Sequence, residues 1–396
     1  MLKILLVSNL YPNEKEPTRG IFTEQIVKGF LKHNQVEVVS PTPWFPKFLS
    51  RLQPKKYAPL AKQENFNGVK VYRPSYIVIP KVGRWLYGLL FFFGIFNTLR
   101  KVKKDFNPDV INVHWMYPDA FGTVLAARLL NIPVVTHSLG CDINEFSKYP
   151  IRKKFIRYAL KNADFNITVS EQLREKVIKI GADKDKTITL MNGVNRELFN
   201  SEGVNNVRQQ FHIADDNTLL LFAGNFNVEK GLSLLLEAYH LQKDKHNHAH
   251  LLIIGSGPLE NEINHLVEAL ELTDRVTFVG RVAHTEVAKY LAAVDFLCLP
   301  SLREGCPNIV LESLSVGTPV LANNVGALPE MLNPDLGGAG LLTEENTVEG
   351  FSIMLDKALS KHWQEIKHFD WITWQDNADQ IVDVLNKAQL SSAKQQ

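Results

Sequence analysis

The chain is 396 residues long, 45% hydrophobic and 22% charged, with a net charge of +2. That length calls for at least two domains with cores of their own, and the composition excludes a disordered or low-complexity chain. The charge is unevenly placed: residues 1–198 hold 31 Lys and Arg against 16 Asp and Glu, the remainder 13 against 26. Two domains with different partners are expected, the first drawn to anionic surfaces such as a membrane face. Cys141, Cys298 and Cys306 show neither metal-ligand spacing nor an even disulfide framework, which fits a reducing, cytoplasmic compartment. No nucleic-acid partner is expected.

The opening run of MLKILLVSN is too short for a signal peptide and reads as a buried strand over Ile4–Val7. A loop rich in Pro and charge leads through Gly20 to a helix from about Thr23 to Lys32, and Val36–Val39 is the next strand. This is a parallel βαβ unit whose first loop faces the ligand crevice. Gly20 serves either a plain turn or a close approach of backbone to a phosphate. Trp44 to Lys62 mixes aromatics with cations, and Lys81 to Lys104 does so again around the apolar run Trp85–Phe96. Twelve helical residues span ~18 Å, short of the ~30 Å of a bilayer core. This run is therefore either a helix buried against the sheet or a face lying on anionic lipid. Strands over Val110–Val113 and Pro133–Thr136 end in His114-Trp-Met-Tyr-Pro-Asp119 and in His137-Ser-Leu-Gly-Cys-Asp142. A histidine at the carboxyl end of each of two adjacent strands points to a site. A basic helix over Arg152–Lys161 and a strand over Ala163–Ser170 follow. Asp183-Lys-Asp185 lies in a charged turn and reads as a solvated face, not a metal site.

A polar stretch from Asn195 to Asp216 reads as a linker. Beyond it, Leu219–Ala223 is a buried strand, then come Asn225, Lys230 and a helix from Leu232. Strand, glycine-containing loop with lysine, and helix together make an anion site; the alternative is a solvated surface lysine. Gly255 and Gly257 follow another strand but lack the third glycine of a dinucleotide fingerprint, so a nicotinamide cofactor is not expected. A strand over Val276–Gly280 runs into Arg281, and a helix covers His284–Ala293. Phe296–Leu299 is a strand, followed by Glu304, Gly305, Cys306, Pro307 and a helix from Asn308 to Val316 that contains Glu312. Gly317-Thr-Pro319 stops the helix, and Val320–Ala322 is a strand. The two glutamates flank a helix N-terminus, where free backbone N–H groups favour an anion. A diphosphate on the helix end with sugar and ribose hydroxyls on the acids would use all three features; ordinary capping electrostatics is the plain alternative. A final helix follows Phe369-Asp-Trp371 and runs to about Lys387.

Glu304-Gly-Cys-Pro-Asn308, Glu312 and Gly317-Thr-Pro-Val320 together resemble the EGxPNxxxEAxxxGxPV signature of family 4 glycosyltransferases, of the bacterial polysaccharide and glycolipid type. The resemblance extends over nearly the whole chain, through PTRGIF around Gly20, MNGV at 191–194, GNFNVEKG around Lys230, the GSGP turn at Gly255, and VTFVGR ending at Arg281. It implies an α/β protein of the GT-B fold. Two Rossmann-like doubly wound domains would face across a cleft: residues 1–198 for the acceptor, 199–370 for the nucleotide sugar, and a helix at 371–387 crossing back to the first domain. It implies metal-independent transfer of a sugar from a UDP- or GDP-linked donor, without a cofactor, to a saccharide or lipid-linked saccharide and with retained configuration. In such a site Lys230, Gly20, Gly255, Arg281, Cys306, Pro307 and Asn308 line the donor. Glu304 holds sugar hydroxyls, Glu312 holds the ribose, and His137 or His114 reaches the reacting sugar from an acceptor side that includes Asp119 and Asp142. The sequence departs from the pattern twice. Asn225 stands where the family has an arginine that grips the diphosphate with the lysine, and the pattern TxHGxD would put its histidine at Leu139. An epimerase of the same fold, or a sugar-nucleotide-binding partner with weakened catalysis, are the alternatives.

Overall fold

The computed structural model describes residues 1–17, 19–45, 60–79, 84–200, 207–214, 216–333, 339–360 and 371–393. Of the aromatic and basic stretches, residues 46–59 and 80–83 lie outside these, as do Phe369 and Asp370. The chain divides into two compact units, residues 1–192 with 374–396, and residues 193–373.

The first unit runs β1 (Lys3–Val7), α1 (Ile21–Leu31), β2 (Gln35–Val39), β3 (Thr42–Trp44), β4 (Gln63–Phe66), β5 (Val69–Tyr72), β6 (Ser75–Ile77) and α2 (Tyr87–Asp105). It continues with β7 (Val110–His114), α3 (Phe121–Leu129), β8 (Val134–Ser138), α4 (Cys141–Asn144), α5 (Pro150–Asn162), β9 (Phe165–Thr168), α6 (Glu171–Ile180) and β10 (Thr187–Thr189). Its sheet has the order β10-β9-β8-β7-β1-β2-β5-β4, parallel except where β4 meets β5. Ile4 to Val7 are all buried, as a strand covered on both faces requires. The pattern of α2 is that of a helix buried along one stripe. Phe91, Ile95, Leu99 and Val102 form a buried stripe, while Phe93, Arg100, Lys101 and Lys104 are exposed. No helix among the described residues is long and apolar enough to cross a membrane.

The second unit runs α7 (Val207–Gln210), β11 (Thr218–Ala223), α8 (Leu232–His240), β12 (Ala249–Ile254), α9 (Glu260–Ala269), β13 (Val276–Gly280) and α10 (His284–Ala293). Then follow β14 (Phe296–Leu299), α11 (Asn308–Ser315), β15 (Val320–Ala322), α12 (Leu328–Met331), β16 (Gly340–Leu342) and α13 (Val348–Leu359). The sheet is wholly parallel in the order β13-β12-β11-β14-β15-β16. The supposed linker belongs to this unit. Val194, Phe199, Val207 and Ile213 are buried in its core, so the chain enters the unit at Gly193 rather than after a polar tether. It leaves at Thr373, and Val194 N–H donates to the Ile372 carbonyl at 3.0 Å. The last helix, α14 (Trp374–Ala393), packs in the first unit: Ile381 and Leu385 join Ile26 and Phe30 of α1 in one core. Asn377 ties it down by donating to the Met191 carbonyl at 2.6 Å.

Both sheets reverse direction once, between β1 and β7 in the first and between β11 and β14 in the second. Loops leaving the carboxyl ends of the strands at such a reversal diverge and open a crevice. The functional residues therefore belong in the loops after β1 and β7, and after β11 and β14.

Candidate active site

In the second unit, the loop after β11 and the loop after β14 meet at the reversal. Gly231 has a left-handed φ of 66°, and a Cβ there would lie 2.1 Å from the Pro300 carbonyl oxygen, so the two loops approach more closely than any other residue allows. Leu302 N–H donates to the Glu229 carbonyl at 2.8 Å, and the Arg303 guanidinium lies 3.3 Å from the Glu229 carboxylate. This docking brings Lys230 Nζ to 2.7 Å from Glu304 Oε1. Glu304 is nearly buried and Lys230 is part-exposed. The loop holding Glu304 is fixed from its other side, where Ala327 N–H donates to the Gly305 carbonyl at 2.9 Å. Next comes α11, whose N-terminus at Asn308 is preceded by Pro307, a residue with no capping side chain.

Glu312, one turn inside α11, is buried and accepts from His284 Nε2 at 2.7 Å. That hydrogen bond, helped by the carboxylate charge, raises the His284 pKa above its ordinary value. His284 opens α10 and was marked in the sequence only as a helix start. A histidine 28 residues from its partner carries no local signal.

The loops after β11, β12 and β13 lie against one another. Gly255 has φ 133°, and a Cβ on it would meet the Gly224 carbonyl oxygen at 1.9 Å. Phe226 N–H donates to the Ser256 carbonyl at 3.0 Å, and Gly255 N–H to the Gly280 carbonyl at 2.9 Å. Asn225 is exposed on this stack, and the Arg281 guanidinium donates to the Ser256 hydroxyl. Gly255, Arg281, Asn225, Lys230 and Glu304 are thus gathered along the carboxyl edge of one sheet, and Cys306 and then Asn308, which opens α11, follow Glu304 directly.

The first unit builds its reversal from polar groups. Asp119, after β7, accepts from the Asn9 backbone N–H at 2.7 Å and from Asn9 Nδ2 at 2.8 Å. Arg19 then donates to the Asn9 carbonyl at 3.2 Å and pairs with Glu16 at 2.9 Å. Gly20 caps α1 in the left-handed region, with the Leu10 carbonyl oxygen 2.3 Å from where a Cβ would sit. Its turn role is therefore explained by the loop itself. Asp142 has no exposed surface and accepts from the backbone N–H groups of Met116, Leu139, Gly140 and Ile143 at 2.8 to 3.1 Å. Burial pushes its carboxyl up to about 6 against the pull of those four donors, and burial raises Asp119 well above the usual carboxylate range.

The residues expected on the acceptor side are all buried. Asp119 and Asp142 brace loops. His114 and His137 are fully buried, with ring centroids 4.7 Å apart. Both residues lie at the carboxyl ends of strands that are buried throughout. Burial lowers the pKa of His137 to about 3 and that of His114 well below its ordinary value, so both rings are neutral. At Leu139, where the family pattern places its histidine, the backbone N–H serves Asp142. Outside this region, Asp183 accepts from Asp185 N–H at 3.0 Å as the cap of an exposed turn. Replacing Asp142 by Ala strands several buried N–H donors. The expected cost is about 3 kcal/mol, seen as a fall in Tm of roughly 6–12 °C; an unchanged Tm would show that the brace carries no load.

Known proteins share this architecture. The chain matches the model of Glycosyltransferase Family 4 over residues 20–198 and that of Glycosyl transferases group 1 over residues 204–373. A Bacillus subtilis protein named as a teichuronic acid biosynthesis glycosyltransferase, TuaC, is 25% identical over 338 residues, covering 83% of each chain. The N-acetyl-alpha-D-glucosaminyl L-malate synthase of Bacillus anthracis is 26% identical over 256 residues, 64% of this chain and 66% of that one. Among solved structures, a sucrose-phosphate synthase from Thermosynechococcus elongatus superposes with a TM-score of 0.69 at 20% identity, over 100% of this chain and 98% of that one. Anabaena HepE in complex with UDP does so at 0.68 and 16%, over 100% and 99%. At such identities these last two speak for the fold. With both family models matched in succession along two Rossmann-like units, the chain belongs to the family 4 glycosyltransferases of the GT-B fold, of the bacterial polysaccharide and glycolipid type.

Proposed function

We propose that this glycosyltransferase moves a sugar from a UDP- or GDP-linked donor to a saccharide or lipid-linked saccharide, with retention and without a divalent metal, at the inner face of the cytoplasmic membrane. The observation that carries the donor reading is the 2.7 Å Lys230–Glu304 pair beside the start of α11. As the bond from the anomeric carbon to the diphosphate breaks, negative charge grows on the departing oxygen. An ammonium and a helix N-terminus are placed to meet it, which is the service a metal renders elsewhere. The acceptor hydroxyl oxygen forms the new bond to the anomeric carbon and gives up its proton to the departing diphosphate. Glu304 takes sugar hydroxyls and Glu312 the ribose hydroxyls, since a carboxylate has more acceptor sites than one partner fills. Retention is supported by membership of the family, and HepE has been solved with UDP-glucose, which supports a uridine donor. His137 and His114 have no place in this reading as contacts to the sugar.

The test is incubation of purified protein with UDP- and GDP-sugars and a membrane lipid extract, with the anomeric configuration of donor and product compared by NMR. Transfer with the same configuration is expected. Isomerisation of the donor without acceptor would replace this reading by an epimerase, and donor binding with no turnover by a binding partner. Asn225 supplies the sharper check. Being exposed beside the Lys230 loop, it can be changed to Arg without disturbing a core. Asn225→Arg is expected to tighten nucleoside diphosphate binding about tenfold by a charge-assisted contact; unchanged affinity in calorimetry would place the diphosphate elsewhere.

A further inference from the structure

Strand β16 is an edge strand of the sheet in the second unit. Val320 N–H donates to the Ala339 carbonyl at 3.1 Å, and Thr343 N–H donates to the Ala322 carbonyl at 2.9 Å. The direction of the backbone groups alternates along a strand. Those of Gly340 and Leu342 therefore turn away from β15, towards a side that holds no strand among the described residues. Successive side chains alternate between the two faces. Leu341 packs against the core built with α8 and α13, and Leu342 against the core built with α10 and α11. A cavity of about 450 Å³ touches both leucines, so it lies at the open edge itself and not on either face.

The other wall is α13. Ile353 and Met354 add apolar surface to it, and Ile353 is 70% exposed. Glu349, Ile353 and Lys357 are spaced four apart, so they share the face of the helix that lines the cavity. Glu344 and Glu345, in the loop from β16, join Glu349 at the start of the helix, with Lys357 ~12 Å further along. All three glutamates are exposed, and none makes an ion pair among the described residues. Their loop is held in place. A Cβ on Gly350 would meet the Glu345 carbonyl oxygen at 2.1 Å. Asn346 Oδ1 accepts from the Asn324 N–H and from the Thr343 hydroxyl, both at 2.9 Å. Charges that only guard a sheet edge against pairing need no apolar hollow beside them; this edge has both.

We propose that this edge takes an extended peptide segment of a partner protein, alternating basic with apolar side chains, as a further strand beside β16. Its backbone pairs with Gly340 and Leu342, its apolar side chains cover Ile353, and its cations meet the three glutamates. In strand addition of this kind the main chain gives affinity and the side chains give selectivity. The cavity falls within the roughly 300–1,000 Å³ of ligand-binding clefts. Charge argues against a second copy pairing edge to edge here. Residues 199–396 carry 13 Lys and Arg against 26 Asp and Glu, so two such units repel each other. The inference stands apart from the donor reading, because β16 and α13 contribute none of the donor residues named above.

The experiment is fluorescence anisotropy of the labelled peptide acetyl-Lys-Val-Lys-Val-Lys-Val-Lys-amide titrated with the full chain. Binding that weakens as salt rises is expected. The peptide with Glu in place of each Lys should bind at least tenfold more weakly. So should a fully N-methylated version, which keeps the side chains but has no N–H for the ladder. The variant E344Q/E345Q/E349Q should lose at least tenfold in affinity together with most of the salt dependence. I353S, at an exposed position, should lose several-fold, and E260Q/E262Q/E268Q on the exposed side of α9 should bind like wild type. No binding, equal binding of the N-methylated peptide, or an equal loss in the α9 variant overturns the proposal. Sedimentation of the chain alone reports the competing occupant: a dimer dispersed by I353S would assign the edge to a second copy and overturn it too.

Discussion

Replacing Lys230 by Ala is expected to lower kcat/KM for the donor by roughly 10²–10³-fold, the scale on which a single preorganised donor to a developing oxyanion acts. The geometry explains why the effect should be this large. Lys230 is the cation that the docking of the β11 and β14 loops delivers to Glu304 at 2.7 Å. Asn225, at the position where the family pattern has an arginine, supplies no charge. On the proposed donor reading, removing the lysine would also leave the nearly buried Glu304 carboxylate near the diphosphate with no positive partner, so that attraction is replaced by repulsion. The pair contributes to the free protein as well, and its loss should reduce stability by roughly 2 kcal/mol. Lys230→Arg keeps the charge and is expected to recover part of the rate. Steady-state kinetics with varied donor checks this, and a Lys230→Ala enzyme within threefold of wild type would remove the lysine from the mechanism.

How much of this was legible before the fold was known differs from residue to residue. The segment from Phe296 to Ala322 could be read almost element by element, because a fully apolar strand, a Gly-Pro entry, a helical stripe and a Gly-Thr-Pro stop are all local signals. Lys230 was legible as a lysine in a strand-to-helix loop. Its partner was not, since Glu304 lies 74 residues on and becomes a neighbour only because β11 lies beside β14. The same holds for Asn9 and Asp119, joined across the β1–β7 reversal 110 residues apart. Sheet order is a long-range property with no trace in local pattern. For His114 and His137 the position at strand ends was legible but the full burial was not, because parallel strands covered on both faces give no alternation from which to read it. Asp142 was placed correctly beyond the end of its strand, and the resemblance put it on the acceptor side, but that its carboxylate accepts from four backbone N–H groups was not legible.

Glu312→Ala is the second large effect: the rise in Tm on adding the nucleotide sugar should vanish. Two ribose hydroxyls bonded to one carboxylate correspond to roughly a hundredfold in affinity. His284 makes this prediction specific. Its Nε2 holds Glu312 Oε1 at 2.7 Å and leaves the other carboxylate oxygen for the ribose of the proposed donor, on which His284 would act by positioning the glutamate. Because the folded pKa of His284 is raised, its pairing with Glu312 contributes in full below the unfolded value of about 6.5 and is lost as pH rises through the folded value. Tm and donor affinity should therefore both decline across that window in wild-type protein, and Glu312→Gln should flatten the Tm profile there while its His284 titrates at lower pH by NMR. His284→Ala should raise the donor KM several-fold with little change in kcat, and His284→Gln, which keeps a donor to the carboxylate, should restore most of the affinity but not the pH dependence. Were Glu312→Ala to bind nucleotide sugar like wild type, the ribose would lie elsewhere, and the His284 pair would be no more than a surface tie between α10 and α11.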